Sequence, residues 1–327
     1  MITLKIPSSS ANVGLFFDTG CLGLKNPHLK IIYKKQKKGI SVEIKSPFTP
    51  PSGRELGYAG KTALEHFLSK HGVSEGAKII YEDEGFPVGG LGRSGAEAVG
   101  AIMAAAVLYE IPLTRNDVIT FAAFGESGNA MDNTAGSTNG NFNIISISPI
   151  TQKPCIDLIK VPDNLGISIG FSSHKKTQGT EGLRKILQKP VDSLTLITQC
   201  GRIAAATYAL SKNDVDRFLE VVIGDCFHEV RRANIGGYGN FNANEFFELK
   251  RKLFNSKHVA LNVSGAGPNM QFLYNKKRYP KGIANEISST VIPWFKQKHI
   301  KLEIKDLEIA KTGAYDYAIR KYGYKGK

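Results

Sequence analysis

The chain has 327 residues, 43 Lys and Arg against 29 Asp and Glu, and 42% hydrophobic residues. This length allows one large or two moderate domains with real cores, and a charged fraction of 22% with 17 Phe and 12 Tyr excludes wholesale disorder. The longest apolar run, Ala98 to Tyr109, is shorter than the ~20 residues that span a bilayer. The start of the chain lacks the pattern of a secretory signal. We therefore expect a cytoplasmic protein without a membrane partner.

The formal net charge is +14, which suits either nucleic acid or an anionic substrate. The basic residues are spread along the chain, and the two densest runs, at 34–38 and 320–327, are predicted to be a solvated hairpin tip and a mobile tail. No nucleic-acid motif accompanies them, so we expect no nucleic-acid partner. The four cysteines lack the spacing of zinc ligands or of a redox pair, which indicates thiols in a reducing compartment.

Strands come first in the predicted order of elements. Runs of strand-type residues between turn signals predict strands at 2–6, 29–33, 40–44 and 78–83, and apolar periodicity predicts a helix at 60–70. An Ala-rich helix is expected from about Ser94 to Tyr109. Thr114 with Asp117 three residues later has the pattern of a capping box, and it predicts a helix to about Phe124. A polar loop over 125–141 and a strand over 142–147 follow.

Three prolines between 149 and 162 predict the domain boundary, which gives domains 1–155 and 156–327. The second domain is predicted to alternate strands and helices. The strands are expected at 165–171, 258–263, 270–274 and 301–306, and the helices at 180–187, 193–210, 214–228, 244–254 and 282–297. This order predicts an α+β sandwich, with helices on one face of a mainly antiparallel sheet.

Three segments have the composition of ligand-binding loops. The first, 7–18, reads PSSSANVGLFFD, and its small hydroxyl and amide side chains can surround a polar ligand. The second, 85–96, reads GFPVGGLGRSGA and opens the Ala-rich helix, so its backbone N–H groups and the positive end of the helix dipole can hold phosphates. It lacks the Gly-Lys-Ser/Thr end of a Walker loop. The third, 263–269, reads VSGAGPN and is a glycine turn between two strands.

Together, in this order and spacing, the three segments resemble those of the GHMP kinases, and the likeness spans nearly the whole chain. Within that family the chain resembles the homoserine kinases. Elements in its C-terminal half carry this narrower likeness: a Thr-x-x-x-Arg element at Thr180 and Arg184, and a His-Glu-x-x-Arg element at His228, Glu229 and Arg232.

The resemblance implies a fold, a reaction and a set of residues. The fold is the two-domain α+β GHMP kinase fold, with a ribosomal protein S5 domain 2-like α/β domain followed by a ferredoxin-like α+β sandwich. The reaction is transfer of the ATP γ-phosphoryl group to the side-chain hydroxyl of L-homoserine in threonine biosynthesis, with Mg²⁺ held by Ser94 and Glu126. The resemblance leaves two alternatives for the proton: Asp132 acts as the base, or, as we favour, the substrate is aligned without a strong base. Substrate binding is assigned to Asn12, Asp18, Asn133, Thr180, Arg184 and Arg232, and nucleotide binding to Pro87, Val88, Gly89, Gly90, Leu91, Gly92, Arg93, Ser94, Gly95, Ala96, Gly265 and Gly267.

Three positions depart from the family pattern, and they bear on the identity of the substrate more than on the reaction. Phe16 replaces a glycine, Arg93 replaces the first serine of the phosphate loop, and Ala130 replaces a histidine. The alternatives are a GHMP kinase for another small alcohol, such as mevalonate, a sugar alcohol or serine, and a non-catalytic binding protein. The resemblance also implies a homodimer.

Overall fold

The computed structural model describes residues 1–47, 55–83, 85–86, 89–175 and 180–327, with the backbone alone at 180 and 181. The chain forms two compact units. Unit 1 contains residues 1–10, 18–158 and 310–327, and unit 2 contains residues 11–17 and 159–309. This division differs from the predicted domains in two respects. A short piece of the first motif belongs to unit 2, and the C-terminal segment returns to unit 1.

Unit 1 is built on a six-stranded sheet. Its order is β3 (Ile40–Lys45), β4 (Gly76–Glu82), β2 (Phe16–Gln36), β5 (Phe142–Ile147) and β6 (Pro154–Ile159), and β1 (Ile2–Asn12) pairs with β2. β2 runs antiparallel to β4 and β5, whereas β3 and β4 are parallel. The predicted hairpin around residues 34–38 is therefore wrong, because β4 lies between β2 and β3. Period-two patterning identifies a strand but does not show which strand lies next to it.

The helices of unit 1 pack around α2 (Arg93–Leu108), which contacts α1 (Tyr58–Lys70), α3 (Arg115–Ala123) and α4 (Asp132–Asn139). Its alanines are buried on all sides, as expected for a central helix. Gly100 lies against β2, and a Cβ there would stand 1.7 Å from Cδ1 of Ile31. The predicted capping box of α3 is confirmed, because the N–H of Asp117 donates to Oγ1 of Thr114 and the N–H of Thr114 donates to Oδ2 of Asp117.

In the first half of the chain, an α-helix and a strand lie where the sequence predicts neither. α4 falls inside the predicted loop 125–141, and β6 falls inside the predicted boundary segment. The sequence of α4, DNTAGSTN, has no apolar face. Its small residues allow close packing in the interior, and side-chain hydrogen bonds satisfy its polar groups. One of these bonds runs from Oγ of Ser137 to the carbonyl of Pro7 at 2.9 Å. Local patterning could not reveal it, because its stability comes from tertiary contacts.

Unit 2 contains a four-stranded antiparallel sheet in the order β10 (Leu302–Leu307), β7 (Leu165–Ser172), β9 (Met270–Asn275) and β8 (Ala260–Val263). The predicted antiparallel sheet is confirmed. A core of aromatic and aliphatic side chains joins the sheet to α9 and α10. The helices of the unit are α5 (Thr180–Lys185), α6 (Ser193–Ser211), α7 (Val215–Val222), α8 (His228–Ala233), α9 (Ala243–Lys257) and α10 (Ala284–Gln297).

The predicted helix over 214–228 is two helices, α7 and α8, with a break between them. Asp225 lies in the break, where its Oδ2 accepts the N–H groups of Phe227 at 3.2 Å and Glu229 at 2.7 Å. A carboxylate that accepts the N–H groups of a helix start satisfies donors that a continuous helix would use internally. The break therefore starts the short helix that carries the His-Glu-x-x-Arg element.

The C-terminal segment forms α11 (Ala314–Tyr322) in unit 1, so the predicted mobile tail is wrong. The hydroxyl of Tyr322 donates to the carbonyl of Thr3, and the hydroxyl of Tyr324 accepts the N–H of Leu113 at 2.8 Å. Tyrosines among the basic residues thus fasten the end of the chain. In the part of the chain that the structure describes, no helix has the length and apolar character needed to cross a membrane.

Candidate active site

The second motif places a glycine-rich turn before the start of α2. Gly89, Gly90 and Gly92 have φ values of 125°, 86° and 66°, a region that residues with a Cβ rarely adopt. Gly92 is the N-cap of α2 and has no side chain to cap the helix. The first N–H groups of α2 are therefore not capped from within the helix, which is the geometry that binds anions at helix N-termini.

The end of this turn packs against two other predicted site segments of unit 1. The N–H of Ser9 donates to the carbonyl of Leu91 at 3.2 Å, and Oγ of Ser9 donates to Oδ1 of Asn133 at 2.9 Å. A Cβ on Gly92 would stand 2.1 Å from Oγ of Ser9 and 2.6 Å from Oδ1 of Asn133. The first motif, the phosphate loop and the Asp-Asn pair thus meet in one place, and the contact requires glycine at position 92.

Arg93, in the phosphate loop, has all of its visible partners within unit 1. Its side chain is buried, with Nη2 at 2.8 Å from Oδ2 of Asp83 and Nε at 3.1 Å from Oε1 of Glu97. Its Nη1 donates to the carbonyl of Phe86 at 2.9 Å. The guanidinium is therefore paired with two carboxylates, and contact of Arg93 with the nucleotide stays a prediction.

Asp132, Asn133, Glu126 and Ser94 also lie in unit 1. Asp132 is buried at the start of α4, where its Oδ1 accepts the N–H of Asn133 at 2.7 Å. Ser94 is half-buried in the first turn of α2, and Oε1 of Glu126 is a buried atom just beyond the end of α3. The roles of these four residues in metal and substrate binding stay predictions.

In unit 2, the first motif is held by the glycine turn of the third motif. Nδ2 of Asn12 donates to the carbonyl of Gly265 at 2.7 Å, and the N–H of Gly265 donates to the carbonyl of Ala11 at 2.9 Å. Gly265 and Gly267 have φ values of 58° and 70°. This geometry shows that Asn12 positions the turn. Contacts of Asn12 with the substrate and of the two glycines with the nucleotide stay predictions.

α8 holds the same stretch of the first motif from another direction. Nε2 of His228 donates to the carbonyl of Gly14 at 2.6 Å, and a Cβ on Gly14 would stand 2.0 Å from the carbonyl oxygen of Val222. Burial and the charge of Arg232 lower the pKa of His228 to about 4. The imidazole is therefore neutral at pH 7 and serves as a hydrogen-bond donor to the backbone.

Phe17 brings the two predicted carboxylate-binding arginines together. Cζ of Arg184 lies 5.8 Å from the centroid of its ring, and Cζ of Arg232 lies 4.9 Å from it. The imidazole of His228 stacks on the same ring at 5.3 Å. Both guanidinium groups lie near one aromatic ring in unit 2, the region where a carboxylate clamp is predicted.

Arg232 has an unusual electrostatic environment. Its side chain is 1% exposed, and its Nε and Nη1 are buried without a hydrogen-bond acceptor among the described residues. Within that part of the chain no carboxylate forms an ion pair with it. The neighbouring Glu229 accepts the N–H of Val263 at 2.7 Å and pairs with the buried Lys250 instead. A buried, unneutralised cation with unused donors is a site that an anion would stabilise.

The remaining predicted residues divide into two groups. Asp18 follows Phe17, is half-buried and has a φ of 54°. Pro87 and Val88 lie outside the described residues, as does the side chain of Thr180. Residues without an assigned role, namely Asp83, Glu97, Phe17, Asp225, Glu229 and Lys250, hold the predicted ones in place. Phe17 lies in the first motif, Glu229 lies in the His-Glu-x-x-Arg element, and the spacing of four between Arg93 and Glu97 suits an ion pair on a helix. No sequence signal marked Asp83, Asp225 and Lys250.

A metal site formed by the protein alone is not present in the described part of the chain, where no three His, Cys, Asp or Glu side chains form a suitable cluster. Mg²⁺ in phosphoryl-transfer sites uses one or two protein ligands together with phosphates and water. The hydroxyl of Ser94 and the carboxylate of Glu126 are hard oxygen ligands of the right kind, and they fit that mode of binding.

The chain is similar to known proteins both in part of its sequence and in its fold. Residues 58–141 match the family model described as the GHMP kinases N terminal domain. The fold is similar to that of a homoserine kinase from Cytophaga hutchinsonii, with a TM-score of 0.77 and 21% identity over 95% of this chain and 96% of that one. A mevalonate kinase from L. major gives a TM-score of 0.67 at 16% identity, covering 96% of this chain and 97% of that one. The predicted resemblance to the GHMP kinases and the predicted two-domain fold are confirmed.

In amino-acid sequence, the chain is similar to homoserine kinases in particular. The chain is 28% identical to a homoserine kinase from Methanococcus maripaludis over 273 residues, which cover 80% of this chain and 84% of that protein. It is 25% identical to a homoserine kinase from Pyrobaculum aerophilum over 309 residues, which cover 92% of this chain and 96% of that protein.

Proposed function

We propose that this chain transfers the γ-phosphoryl group of ATP to the side-chain hydroxyl of L-homoserine, forming O-phospho-L-homoserine and ADP in threonine biosynthesis. The similarity to homoserine kinases over most of the chain supports this proposal. We also propose a cytoplasmic location. A homodimer stays a prediction.

The observation that carries the proposal is the environment of Arg232. A guanidinium that is 1% exposed, with two buried nitrogen atoms lacking an acceptor among the described residues, shares the ring of Phe17 with Arg184. The α-carboxylate of an amino acid supplies the missing charge and acceptors, and guanidinium groups bind carboxylates in a bidentate manner. Asp18 would pair with the α-ammonium group, and Asn12, Asn133 and Thr180 would contribute further hydrogen bonds.

The reaction requires positioning and neutralisation of charge more than covalent chemistry. The hydroxyl oxygen of homoserine forms the new bond to the γ-phosphorus, the bond from that phosphorus to the bridging oxygen of ADP breaks, and the hydroxyl proton is released. Backbone N–H groups of Gly89–Ala96 would bind the phosphates. Gly265 and Gly267 stay predicted nucleotide contacts, and Asp132 stays the predicted base, if one acts.

Ser94 and Glu126 would hold Mg²⁺, which neutralises phosphate charge when bound. Glu126→Gln keeps the shape of the side chain and removes its charge, so we expect kcat to fall about a hundredfold and the Mg²⁺ concentration for half-maximal rate to rise. Titration of the rate with Mg²⁺ measures both. The matched control is Glu110→Gln, an exposed residue at the end of α2. An unchanged Mg²⁺ dependence in Glu126→Gln would remove this residue from the metal site.

The substrate test uses compounds that lack one recognition group each. ADP release is measured with homoserine, with γ-hydroxybutyrate, which lacks the ammonium group, and with aminopropanol, which lacks the carboxylate. We expect homoserine to have the highest kcat/KM, because a site built for both charges discriminates strongly against a compound that leaves one unpaired. The departures from the family pattern at Phe16 and Ala130 suggest that the substrate could be another small alcohol. ADP release with mevalonate, serine and a sugar alcohol tests this alternative. Faster turnover of any of these than of homoserine refutes the proposed substrate.

A further inference from the structure

A buried charge cluster stands at the start of the phosphate loop. It consists of Asp83 at the end of β4, Arg93 at the first position of α2 and Glu97 one turn later, and we call it the loop triad. The side chains of all three are 5% exposed or less. Because two carboxylates surround one guanidinium, the charge of Arg93 is fully compensated within the protein.

The loop triad binds the first residues of the loop through their backbone. Oδ1 of Asp83 accepts the N–H groups of Gly85 at 3.0 Å and Phe86 at 2.8 Å. Nη1 of Arg93 donates to the carbonyl of Phe86. The start of the loop is thereby joined to the first residue of the helix that the loop leads into.

The loop triad also reaches two neighbouring segments of unit 1. Oγ of Ser46, just after β3, donates to Oδ1 of Asp83 at 3.1 Å. Oε2 of Glu97 accepts the N–H of Gly57, the N-cap of α1, at 3.0 Å. Burial would raise the pKa of Asp83, but the hydrogen bond from Phe86 and the charge of Arg93 outweigh it, so the pKa is lowered and the carboxylate stays ionised.

We propose that Arg93 is a positioning residue. Through Asp83 and Glu97 it fixes the phosphate loop against α2, and it does not contact the phosphates itself. This inference rests on the proposed function in that the loop binds ATP. The family pattern has serine at this position. Arginine replaces that small side chain with one that forms salt bridges and holds the loop, and the backbone N–H groups remain the phosphate ligands.

Asp83→Asn separates this proposal from direct phosphate binding by Arg93. Asparagine keeps the oxygen that accepts from Gly85 and Phe86 but places an NH₂ group against the guanidinium, which loosens the loop triad. We expect the Kd of a non-hydrolysable ATP analogue with Mg²⁺ to rise about tenfold or more, since small misplacements of a binding group cost up to about 10² in rate. Direct phosphate binding predicts the opposite, because the loosened guanidinium would then be available to the nucleotide.

The experiment measures the Kd by calorimetry for Asp83→Asn, Arg93→Ser and Arg93→Lys, well below the Tm of each variant. Glu82→Gln is the matched control, since the adjacent Glu82 pairs with Lys30 and Lys45 at the surface. All three triad variants should weaken nucleotide binding and leave homoserine affinity within about twofold, whereas Glu82→Gln should bind both normally. Arg93→Lys keeps the charge and serves where Arg93→Ser does not fold.

An unchanged or tighter Kd for the nucleotide in Asp83→Asn overturns the proposal, as does equal loss of nucleotide and homoserine affinity in the triad variants. A different result would contradict the proposed function without contradicting the role of Arg93. Wild-type protein that binds the ATP analogue but does not phosphorylate homoserine contradicts the substrate, while the loss of nucleotide affinity in the triad variants still supports the positioning role of Arg93.

Discussion

Arg93 in unit 1 and Arg232 in unit 2 are both buried, yet their surroundings are opposite. Arg93 contacts two carboxylates and a backbone carbonyl. Arg232 has two buried nitrogen atoms without an acceptor in the described part of the chain, and its acidic neighbour Glu229 pairs with Lys250. Burial of a charge is costly in either case. Arg93 recovers that cost within the protein, whereas under the proposed function Arg232 would recover it when the substrate carboxylate binds.

The comparison shows that burial alone does not identify a functional arginine. A compensated guanidinium supports structure, and an uncompensated one indicates a binding site. The two arginines should therefore respond to the same substitution in opposite ways, because one loses protein partners and the other loses a ligand.

Arg232→Met gives the largest expected effect on activity. Loss of a buried partner of the substrate carboxylate should lower kcat/KM for homoserine about 10²–10³-fold. The Kd for ATP should stay within about threefold, and the free energy of unfolding should stay within about 1 kcal/mol, since no carboxylate loses its partner. Steady-state kinetics and denaturant unfolding measure these quantities. A large loss of stability with normal kcat/KM would contradict the comparison.

Arg93→Met gives the largest expected effect on stability. It leaves the buried carboxylates of Asp83 and Glu97 without their cation, so the free energy of unfolding should fall by about 3–5 kcal/mol. Urea unfolding measures it, with Arg217→Met as the control, because Arg217 forms an exposed ion pair with Glu220. Stability equal to that of the control would mean that the loop triad does not support unit 1.

Phe17→Leu sharpens the comparison by removing the ring that both clamp arginines share. Each cation–π contact contributes about 1 kcal/mol, so KM for homoserine should rise about tenfold or somewhat more while kcat changes little. The control is Phe171→Leu, which removes from β7 a half-buried ring that lies under Lys305 at 5.6 Å. An equal effect of the two substitutions would show that Phe17 acts through general packing.

His228→Gln tests the electrostatics of unit 2 through pH. The unfolded chain binds a proton at His228 near pH 6.5, but the folded chain does so only near pH 4, because burial and the charges of Arg232 and Lys250 outweigh the opposing charge of Glu229. The neutral imidazole of His228 therefore contributes to the free energy of unfolding above pH 6.5, and this contribution is lost as the pH falls toward 4. Between pH 7 and pH 5 the loss is about 2 kcal/mol.

Glutamine keeps a donor for the carbonyl of Gly14 and does not titrate. The fall in the free energy of unfolding from pH 7 to pH 5 should therefore be about 2 kcal/mol smaller in His228→Gln than in the wild type, as measured by urea unfolding at each pH. An identical pH dependence in both proteins would show that His228 is already protonated in the folded state at pH 5.

Much of the fold could be predicted because local rules agree with the tertiary structure there. The capping box at Thr114, the Ala-rich helix α2 and the antiparallel sheet of unit 2 all follow from composition and periodicity. The predictions failed where tertiary contacts decide. α4 has no apolar face, the hairpin at 34–38 is interrupted by a strand from later in the chain, and the basic tail is fastened by Tyr322 and Tyr324.

The residue types alone predicted the resemblance to the GHMP kinases, a phosphate loop and two candidate arginines, because glycine turns and guanidinium groups carry their chemistry in the residue type. Which of the two arginines is compensated became visible in the folded structure. That depends on whether Asp83 at a strand end and Glu97 on a helix lie beside the guanidinium, as they do for Arg93, or whether the nearby carboxylate of Glu229 is taken by Lys250. Electrostatic energy depends on distances in space between charges far apart in the chain, and for that reason the two roles separate only in the folded protein.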